Sequence, residues 1–465
     1  MKLSKLKAPN TFFIIFSIIV LVAIATWFVP SGEFDRKEVN GKNVVVNETF
    51  HFVESSPQGV SAVLQAPIKG FVDAALIIGF VLIVGGAFSV FQKTEAVDSG
   101  IKAIANAYHK SKVVEKLLIP ILMVLFSLGG AIFGMAEEII PFILILVPLM
   151  LSLGYDSITA VAVAYIGSGV GFAGAFLNPF TVGIAQGIAG VPLFSGIEYR
   201  LVVWVIVTLT AIIYVTRYAS KIKANPKLSP VYEIDKNRKE KFDTDKLQNF
   251  DGIDRQHKTV LIVFLLGLIT LAIGVLNFGW FIEEICAVFF ITGILVGIFG
   301  KLSTQEITDS FVQGAKDLVG TALIIALARG ILIVASDGKI IDTALYTLSE
   351  PIRSLHPIVS SQAMFVVQSL LNFFIPSGSG QAALTMPIMA PLGDLVGVSR
   401  QTAILAYQFG DGFSNLIIPT SAVTMGILTL AEIPWEKWAR WILPLMLILS
   451  VVSLLLLIPP YFMGW

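Results

Sequence analysis

Long apolar runs separated by short polar connections define the pattern of this chain. A transmembrane helix needs about 20 apolar residues, and stretches that reach or approach this length recur along the whole sequence. The candidate spans are 11–30, 69–92, 114–133, 139–153, 157–177, 198–218, 258–278, 281–300, 318–336, 357–375, 379–398, 400–418 and 435–460. The pattern predicts an all-α polytopic membrane protein.

The composition agrees with a surface that largely faces lipid. Charged residues make up 14% of the 465 residues and hydrophobic residues 55%, whereas a soluble domain carries about a quarter charged residues. The formal net charge is zero, so nothing predicts a nucleic-acid partner. The lipid bilayer is the first partner that the sequence predicts.

Basic residues between the apolar runs predict the orientation, because Lys and Arg accumulate in cytoplasmic loops. Lys2, Lys5 and Lys7 place the N-terminus in the cytoplasm, and the very basic segment 219–257 is predicted to be the main cytoplasmic loop. The polar segment 31–66 is expected to form a small outer flap without an assigned role. We therefore expect a multi-pass protein of a bacterial-type inner (cytoplasmic) membrane.

Two stretches have the pattern of re-entrant helical hairpins. In 114–154 and in 357–398, two apolar arms flank a short tip, Gly134–Glu138 and Pro376–Gln381 respectively. Irregular backbone at membrane depth is tolerated only where protein or water lines it. We expect the first hairpin to open inward and the second to open outward.

The two halves of the chain resemble each other. Gly167 matches Gly410 and Gly169 matches Gly412 at one constant offset, and counting spans gives the halves opposite orientations. The predicted units are a first repeat 1–218 with hairpin 114–154 and broken helix 157–196, the cytoplasmic loop 219–257, and a second repeat 258–465 with an extra span 258–278, hairpin 357–398 and broken helix 400–433. Two inverted-topology repeats with interrupted helices are typical of secondary transporters.

Helix breaks near the membrane midplane predict the site. Open helix ends carry partial charge that attracts ions, and Gly and Pro expose the backbone to a ligand. We expect the breaks at Gly167–Pro179 and Gly410–Pro419, beside the two hairpin tips; tight helix packing is the alternative use of these glycines. The candidate substrate-binding residues are Glu137, Glu138, Asn178, Thr181, Arg329, Ser377, Ser379, Asp411, Asn415, Thr420 and Ser421. The candidate ion-coupling residues are Gly169, Asn178, Gly410 and Asp411.

Charged residues inside apolar runs are functional candidates because their burial is costly. Asp411 is expected to bind a proton, Na⁺ or a cationic group of the substrate. Glu137 and Glu138 either bind substrate or complement the N-terminus of the second hairpin arm. Arg329 needs an anion, which is either a substrate carboxylate or an internal partner such as a glutamate or Asp411.

Other classes find little support in the sequence. There is no phosphate-binding Gly-x-x-x-x-Gly-Lys motif and no His/Cys cluster with metal-ligand spacing, so neither an ATP-driven pump nor a metal site is predicted. An intramembrane enzyme and a channel are remote alternatives, and no catalytic residue is predicted. No cofactor is expected beyond a coupling proton or Na⁺.

Four motifs carry a resemblance to a known family over essentially the whole chain. They are KLKAPNTFFIIFSIIV…WFVPSGEFDR at 5–36, GMAEEIIPF at 134–142, ALARGI…SDGKIIDT at 326–343 and YQFGDGFSNLIIPTS at 407–421. With these motifs the chain resembles the YfcC-like transporters of the C4-dicarboxylate anaerobic carrier family, inside the ion transporter superfamily. The resemblance implies opposed hairpins, a homodimer and elevator-like alternating access.

The substrate class follows from the residues only in part. Relatives in the family include dicarboxylate carriers and arginine/ornithine exchangers. The neutral tip Ser377-Gly378-Ser379 suits a dianion, whereas Glu137, Glu138 and Asp411 suit a cationic amino acid. Because two glutamates at a tip repel a dianion unless they are protonated, we expect a basic amino acid as the small-molecule substrate, with a C4-dicarboxylate as the alternative.

Overall fold

The computed structural model of the protein describes residues 11–39, 42–239, 252–280 and 282–465. Lys2, Lys5 and Lys7, and the central part of the predicted cytoplasmic loop at 240–251, lie outside the described residues. The orientation argument that rests on these lysines therefore stays a prediction.

Helices dominate the described chain, and two antiparallel strand pairs lie near its start. The helices are α1 (Thr11–Ala25), α2 (Val60–Asp73), α3 (Ala75–Lys93), α4 (Ala96–Lys110), α5 (Lys112–Phe133), α6 (Ile140–Ser152), α7 (Ser157–Val161), α8 (Gly167–Ala173), α9 (Ile184–Ala189), α10 (Ile197–Ala224), α11 (Tyr232–Lys239), α12 (Arg255–Phe278), α13 (Ile282–Phe299), α14 (Thr304–Asp317), α15 (Val319–Asp337), α16 (Ile341–Ser349), α17 (Pro357–Asn372), α18 (Gly378–Val396), α19 (Arg400–Asn415), α20 (Ala422–Leu430), α21 (Trp435–Leu456) and α22 (Pro459–Met463). Short π-helical segments, Ala162–Ile166 and Pro179–Gly183, continue α7 into α8 and lead into α9. The strands are β1 (Gly32–Glu33), β2 (Arg36–Val39), β3 (Lys42–Val45) and β4 (His51–Phe52), with Gly32 opposite Phe52 and Arg36 opposite Val45.

Among the described residues, six helical stretches are long and apolar enough to cross a membrane. They are 75–93, 112–132, 197–224, 282–299, 304–337 and 435–463. Large apolar side chains such as Ile213 and Leu447 are exposed on them, as expected where a helix faces lipid rather than water. The prediction of an all-α polytopic membrane protein is confirmed.

Close helix contacts organise the interior. Helix α5 packs against α8, α17 packs against α19, and α8 and α19 pack against each other. A Cβ on Gly171 would lie 1.9 Å from the backbone oxygen of Ser127, and one on Gly130 would lie 2.1 Å from that of Ser168. Only glycine allows backbones to approach this closely, so the α5–α8 contact depends on glycine in both helices.

Two predicted boundaries are wrong. The predicted breaks start at Gly167 and Gly410, but these glycines lie inside α8 and α19, and the helices end at Ala173 and Asn415. A Cβ on Gly410 would lie 2.4 Å from the Gln368 Cβ of α17. This glycine therefore serves helix packing, the alternative use considered above.

The segment 31–66, predicted as an outer flap, also differs from the prediction, because its last residues are helical. Its strands end at Phe52, and the helix α2 begins at Val60, ahead of the predicted span that starts at position 69. Polar residues among the first turns of α2 interrupt the apolar run, so an apolar-run criterion places the start too late.

Candidate substrate and ion site

The first helix break lies between α8 and the half-helix that begins at Pro179. The Asn178 Oδ1 atom accepts hydrogen bonds from the backbone N–H groups of Phe180 at 2.9 Å and Thr181 at 3.3 Å. Asn at the N-cap followed by Pro at the first helical position is a strong helix start, and it places the restart here. The Nδ2 atom of the same Asn178 is buried without a partner.

The second break lies between α19 and α20. The Ser421 hydroxyl caps α20 by accepting from the Thr424 N–H at 3.4 Å, and the neighbouring Thr420 hydroxyl is buried without a partner. The Asn415 carbonyl, left free at the end of α19, accepts hydrogen bonds from the Tyr165 hydroxyl at 2.9 Å and from the Thr424 hydroxyl. Tyr165 belongs to the helix before the first break, so the two halves of the chain meet here.

Asp411 is fully buried, with 0% of its surface exposed. Its Oδ1 atom accepts from the Asn415 side-chain amide at 3.1 Å, while Oδ2 has no partner. The Asn372 amide, at the end of α17, donates to the Asp411 backbone oxygen at 3.2 Å. None of the ion pairs among the described residues involves Asp411, so protein cations leave this carboxylate available to a ligand.

The segment predicted as the second hairpin tip lies against Thr181 after the first break and against Asp411 in α19. A Cβ on Gly378 would lie 2.7 Å from the Thr181 methyl group and 3.0 Å from the Oδ2 atom of Asp411. The Tyr407 hydroxyl donates to the Gly378 backbone oxygen at 2.5 Å, and the Ser377 hydroxyl caps α18 by accepting from the Gly380 N–H at 3.4 Å. Glycine at position 378 therefore allows the tip to lie directly against the first half-helix and the carboxylate of Asp411.

The segment predicted as the first hairpin tip contacts the first break. Gly134 has a left-handed conformation (φ +73°), and a Cβ there would lie 2.7 Å from the Asn178 Oδ1 atom. The Ser168 hydroxyl of α8 donates to the Met135 backbone oxygen at 2.5 Å. Glu138 accepts from the Ala136 N–H at 2.9 Å. This glutamate therefore binds a backbone N–H that precedes the second arm, which agrees with one of the two roles that the sequence left open.

Arg329 is paired within the protein. Its guanidinium forms an ion pair with the carboxylate of Asp73 at the end of α2, the helix that packs against α15. The sequence argument named a glutamate or Asp411 as internal partner, and for Asp411 that suggestion is wrong. Glu137 at the first tip lies within electrostatic reach of Arg329. Asp73 is an acidic residue near the start of the predicted span 69–92. This position was an available signal that it pairs with a cation in another span.

The described residues also contain a cavity of about 510 Å³ that opens onto the second tip. Ser377 and Ser379 line one side of it, and strand residues and the start of α16 line the other. An ion pair between Arg36 and Asp342, 2.8 Å apart, holds the strands to α16. Burial raises the pKa of Asp342, and the Phe34 N–H and Arg36 partly offset this effect. The cavity gives the second tip access to solvent.

Six of the fifteen buried side-chain polar atoms that lack a partner among the described residues lie around the two breaks. They are Asn178 Nδ2, Thr181 Oγ1, Asn372 Oδ1, Asp411 Oδ2, Asn415 Oδ1 and Thr420 Oγ1. Leaving such an atom unsatisfied costs about 1–3 kcal/mol, so a cluster of them is expected where a ligand or ion binds. Most are oxygens, which suit a cation, a proton or an ammonium group. Gly169 and Gly410, in contrast, pack against Leu416 and Gln368.

Sequence reasoning missed Asn372, Tyr165 and Thr424 in this site. Gln368 and Asn372 lie one helical turn apart in the mostly apolar second half of α17, and this spacing of amides was an available signal. Tyr165 and Thr424 lie in apolar sequence without such a pattern.

Capped helix breaks that lie close together inside a helical membrane protein are typical of membrane carriers. The family model of the C4-dicarboxylate anaerobic carriers, DcuC, matches residues 8–461, and the chain belongs to this family.

Individual relatives cover almost the whole chain. An Escherichia coli (strain K12) protein described as "Putative basic amino acid antiporter YfcC" is 39% identical over 98% of this chain and 97% of that protein. An uncharacterized Haemophilus influenzae protein is 30% identical over 97% of this chain and 96% of that protein. The structure of the YdaH transporter from Alcanivorax borkumensis is 15% identical over 98% of this chain and 99% of that chain, with a TM-score of 0.44.

Proposed function

We propose that the protein is a secondary-active antiporter or ion-coupled carrier of a basic amino acid of the arginine/ornithine type. The observation that carries the proposal is the cluster of unpartnered buried oxygens beside the unpaired Asp411. A cationic group, a proton or Na⁺ at this carboxylate would satisfy them. Alternate loading of Asp411 with substrate and with the coupling cation gives exchange or coupled uptake.

The distribution of charge supports a cationic substrate. Glu137 and Glu138 at the first tip and Asp411 at the second break are acidic, and the E. coli relative is described as a basic amino acid antiporter. Arg329 is already paired with Asp73, so a second negative group of a dianion finds no free arginine there. The α-carboxylate of an amino acid would bind at the N-terminus of α18, where helix N–H groups attract anions.

A C4-dicarboxylate is the second candidate. The family is named for these substrates, and the second tip offers the neutral hydroxyls of Ser377 and Ser379 at a solvent-accessible cavity. A dianion bound there would use helix N-termini and hydroxyl groups, with H⁺ or Na⁺ as the coupling ion.

The mechanism that we propose is elevator-type alternating access by two inverted-topology repeats. The repeats would be 1–218 and 258–465, with re-entrant hairpins at 114–154 and 357–398. Equivalent helix pairs support this: α5 packs on α8 as α17 packs on α19, and α2 packs on α15 as α14 packs on α3. A homodimer, an inner-membrane location and a cytoplasmic N-terminus complete the proposal, and they rest on the resemblance and on the distribution of basic residues.

Counterflow into proteoliposomes tests the proposed function. Liposomes loaded with unlabelled arginine or succinate are exposed to the labelled solute, with and without a proton or Na⁺ gradient. We expect arginine counterflow that is lost in Asp411→Asn but kept in the control Asp394→Asn, whose carboxylate forms a surface pair with Arg400. Succinate counterflow without arginine counterflow would favour the second candidate. Absence of counterflow for both solutes would refute both candidate functions.

A further inference from the structure

Arg200 in α10 is a fully buried cation without a carboxylate partner. None of its surface is exposed, and no salt bridge among the described residues includes it. Its guanidinium donates to the side-chain oxygens of Gln408 at 2.6 Å and Gln401 at 3.3 Å, and it lies 5.4 Å from the centre of the Trp465 ring. Neutral amides therefore provide its hydrogen bonds, although burial of an uncompensated charge is costly.

The arginine fixes the orientation of the Gln408 amide. A guanidinium has donors only, so the oxygen of Gln408 has to face Arg200 and its NH₂ group has to point away. This NH₂ group donates to the backbone oxygens of Phe172 at 3.1 Å and Ala175 at 3.3 Å. The Phe172 carbonyl belongs to the last turn of α8 and also accepts from the Ala175 N–H at 3.3 Å, and the Ala175 carbonyl lies two residues beyond the helix.

Gln408 lies one helical turn before Asp411 in α19. The contact chain from Arg200 through Gln408 to α8 thus joins the first break to the helix that carries Asp411. Phe172 also approaches the second tip, since a Cβ on Gly378 would lie 3.3 Å from its ring.

We propose that Arg200 is a positioning residue for the transport site. Through Gln408 it holds the end of α8 in register with Asp411, and so sets the geometry of the first break relative to the carboxylate. Arg200 does not touch the substrate in this proposal. The transport readout rests on the function proposed above, but the structural readout does not.

Two matched glutamate substitutions separate positioning from simple burial of the arginine. In Gln408→Glu, the carboxylate still accepts from Arg200 and adds a counter-charge, but it cannot donate to the carbonyls of α8. In Gln401→Glu, the same change faces the same guanidinium, and Gln401 has no hydrogen bond to α8. A role limited to neutralising Arg200 predicts that both variants behave alike.

The first measurement is hydrogen–deuterium exchange of the purified variants, which requires no substrate. We expect faster exchange in 172–183 and 409–415 for Gln408→Glu, and wild-type exchange there for Gln401→Glu. The second is counterflow of labelled arginine and labelled succinate, where Gln408→Glu is expected to raise KM about tenfold because small misplacements of a site are costly. Gln401→Glu should stay within about twofold of the wild-type KM.

Wild-type exchange in both segments for Gln408→Glu, or equal acceleration in the two variants, would overturn the proposal. If Gln408→Glu does not fold, Arg200→Lys takes its place: a lysine keeps the charge but lacks the planar fork, and the same segments should exchange faster. If the wild-type protein exchanges neither arginine nor succinate, the proposed function fails, while the deuterium measurement still decides the role of Arg200.

Discussion

The two halves of the site distribute their charge in opposite ways. In the first half the hairpin tip is acidic, with Glu137 and Glu138, while the break that it contacts carries the neutral Asn178. In the second half the tip is neutral, and the nearby helix carries Asp411. Each tip and break pair therefore joins one acidic element to one neutral element, and the cationic substrate that we propose would not face opposed carboxylates in either half.

The breaks also differ in how the protein satisfies their free carbonyls. At the second break, Trp438 donates to the Leu416 oxygen at 2.8 Å and Trp435 donates to the Ile417 oxygen at 2.9 Å. At the first break, the amide of Gln408 has this role. Two rigid indoles donate to the second break, whereas the side-chain donor at the first break is one orientable amide, and we therefore expect the first break to be more sensitive to substitution.

The largest effect is expected where both halves meet, at the second tip. Gly378→Ala would place a methyl group 2.7 Å from the Thr181 side chain and 3.0 Å from Asp411, so the tip has to move away from the breaks. We expect transport to fall by about 100-fold or more in initial-rate counterflow. Gly380→Ala is the control, because its methyl group would meet only the Ser377 and Ile375 side chains, at 3.1 Å or more. Equal loss in both variants would contradict the contact argument.

A smaller difference is expected between the two glutamates of the first tip. Glu138→Gln keeps an oxygen that can accept from the Ala136 N–H, so KM for arginine should change by less than about threefold. Glu137→Gln removes a negative charge at a residue that does not accept from the Ala136 N–H, and a rise in KM of about tenfold is expected for a charged hydrogen bond. The measurement is the KM for arginine of each variant. A larger rise in KM for Glu138→Gln than for Glu137→Gln would reverse the roles assigned to the two glutamates.

The smallest effect is the loss of stability expected when either of the two helix caps is removed. Asn178→Ala and Ser421→Ala each remove an N-cap, which costs about 0.5–2 kcal/mol. Asn178 accepts two backbone hydrogen bonds and contacts the first tip, whereas Ser421 accepts one long bond. Thermal unfolding in detergent should therefore show the greater loss for Asn178→Ala; the opposite order would refute the view that the first break is the more sensitive one.

Sequence reasoning was most successful where one strong signal decides the outcome. Apolar runs indicated a helical membrane protein, and Asn-Pro at 178–179 marked a helix restart. It placed the breaks too early because Gly167 and Gly410 have two uses, and tertiary packing against α5 and α17, which the sequence does not display, selects helix contact. Arg329 was correctly given a need for an anion, but the choice of Asp73 depends on the contact between α2 and α15.

The candidate site residues stay a prediction, but several of them share one structural property. Asn178, Thr181, Asp411, Asn415 and Thr420 all contribute unpartnered buried atoms. Long-range partners such as Asn372 and Gln408 were missed. Burial of a neutral amide in a predicted span costs less free energy than burial of a charge, so it is a weak signal of function until its partner is known.

Equilibrium binding of labelled arginine to the purified protein tests the central claim most directly, because it separates the site from coupling and from orientation in the membrane. The claim is that the unpaired carboxylate of Asp411 and the oxygens around it bind a cationic solute. We predict saturable binding to the wild-type protein and to Asp394→Asn, and an affinity at least about tenfold weaker, or 1.4 kcal/mol, in Asp411→Asn. Undiminished arginine binding in Asp411→Asn would contradict the claim.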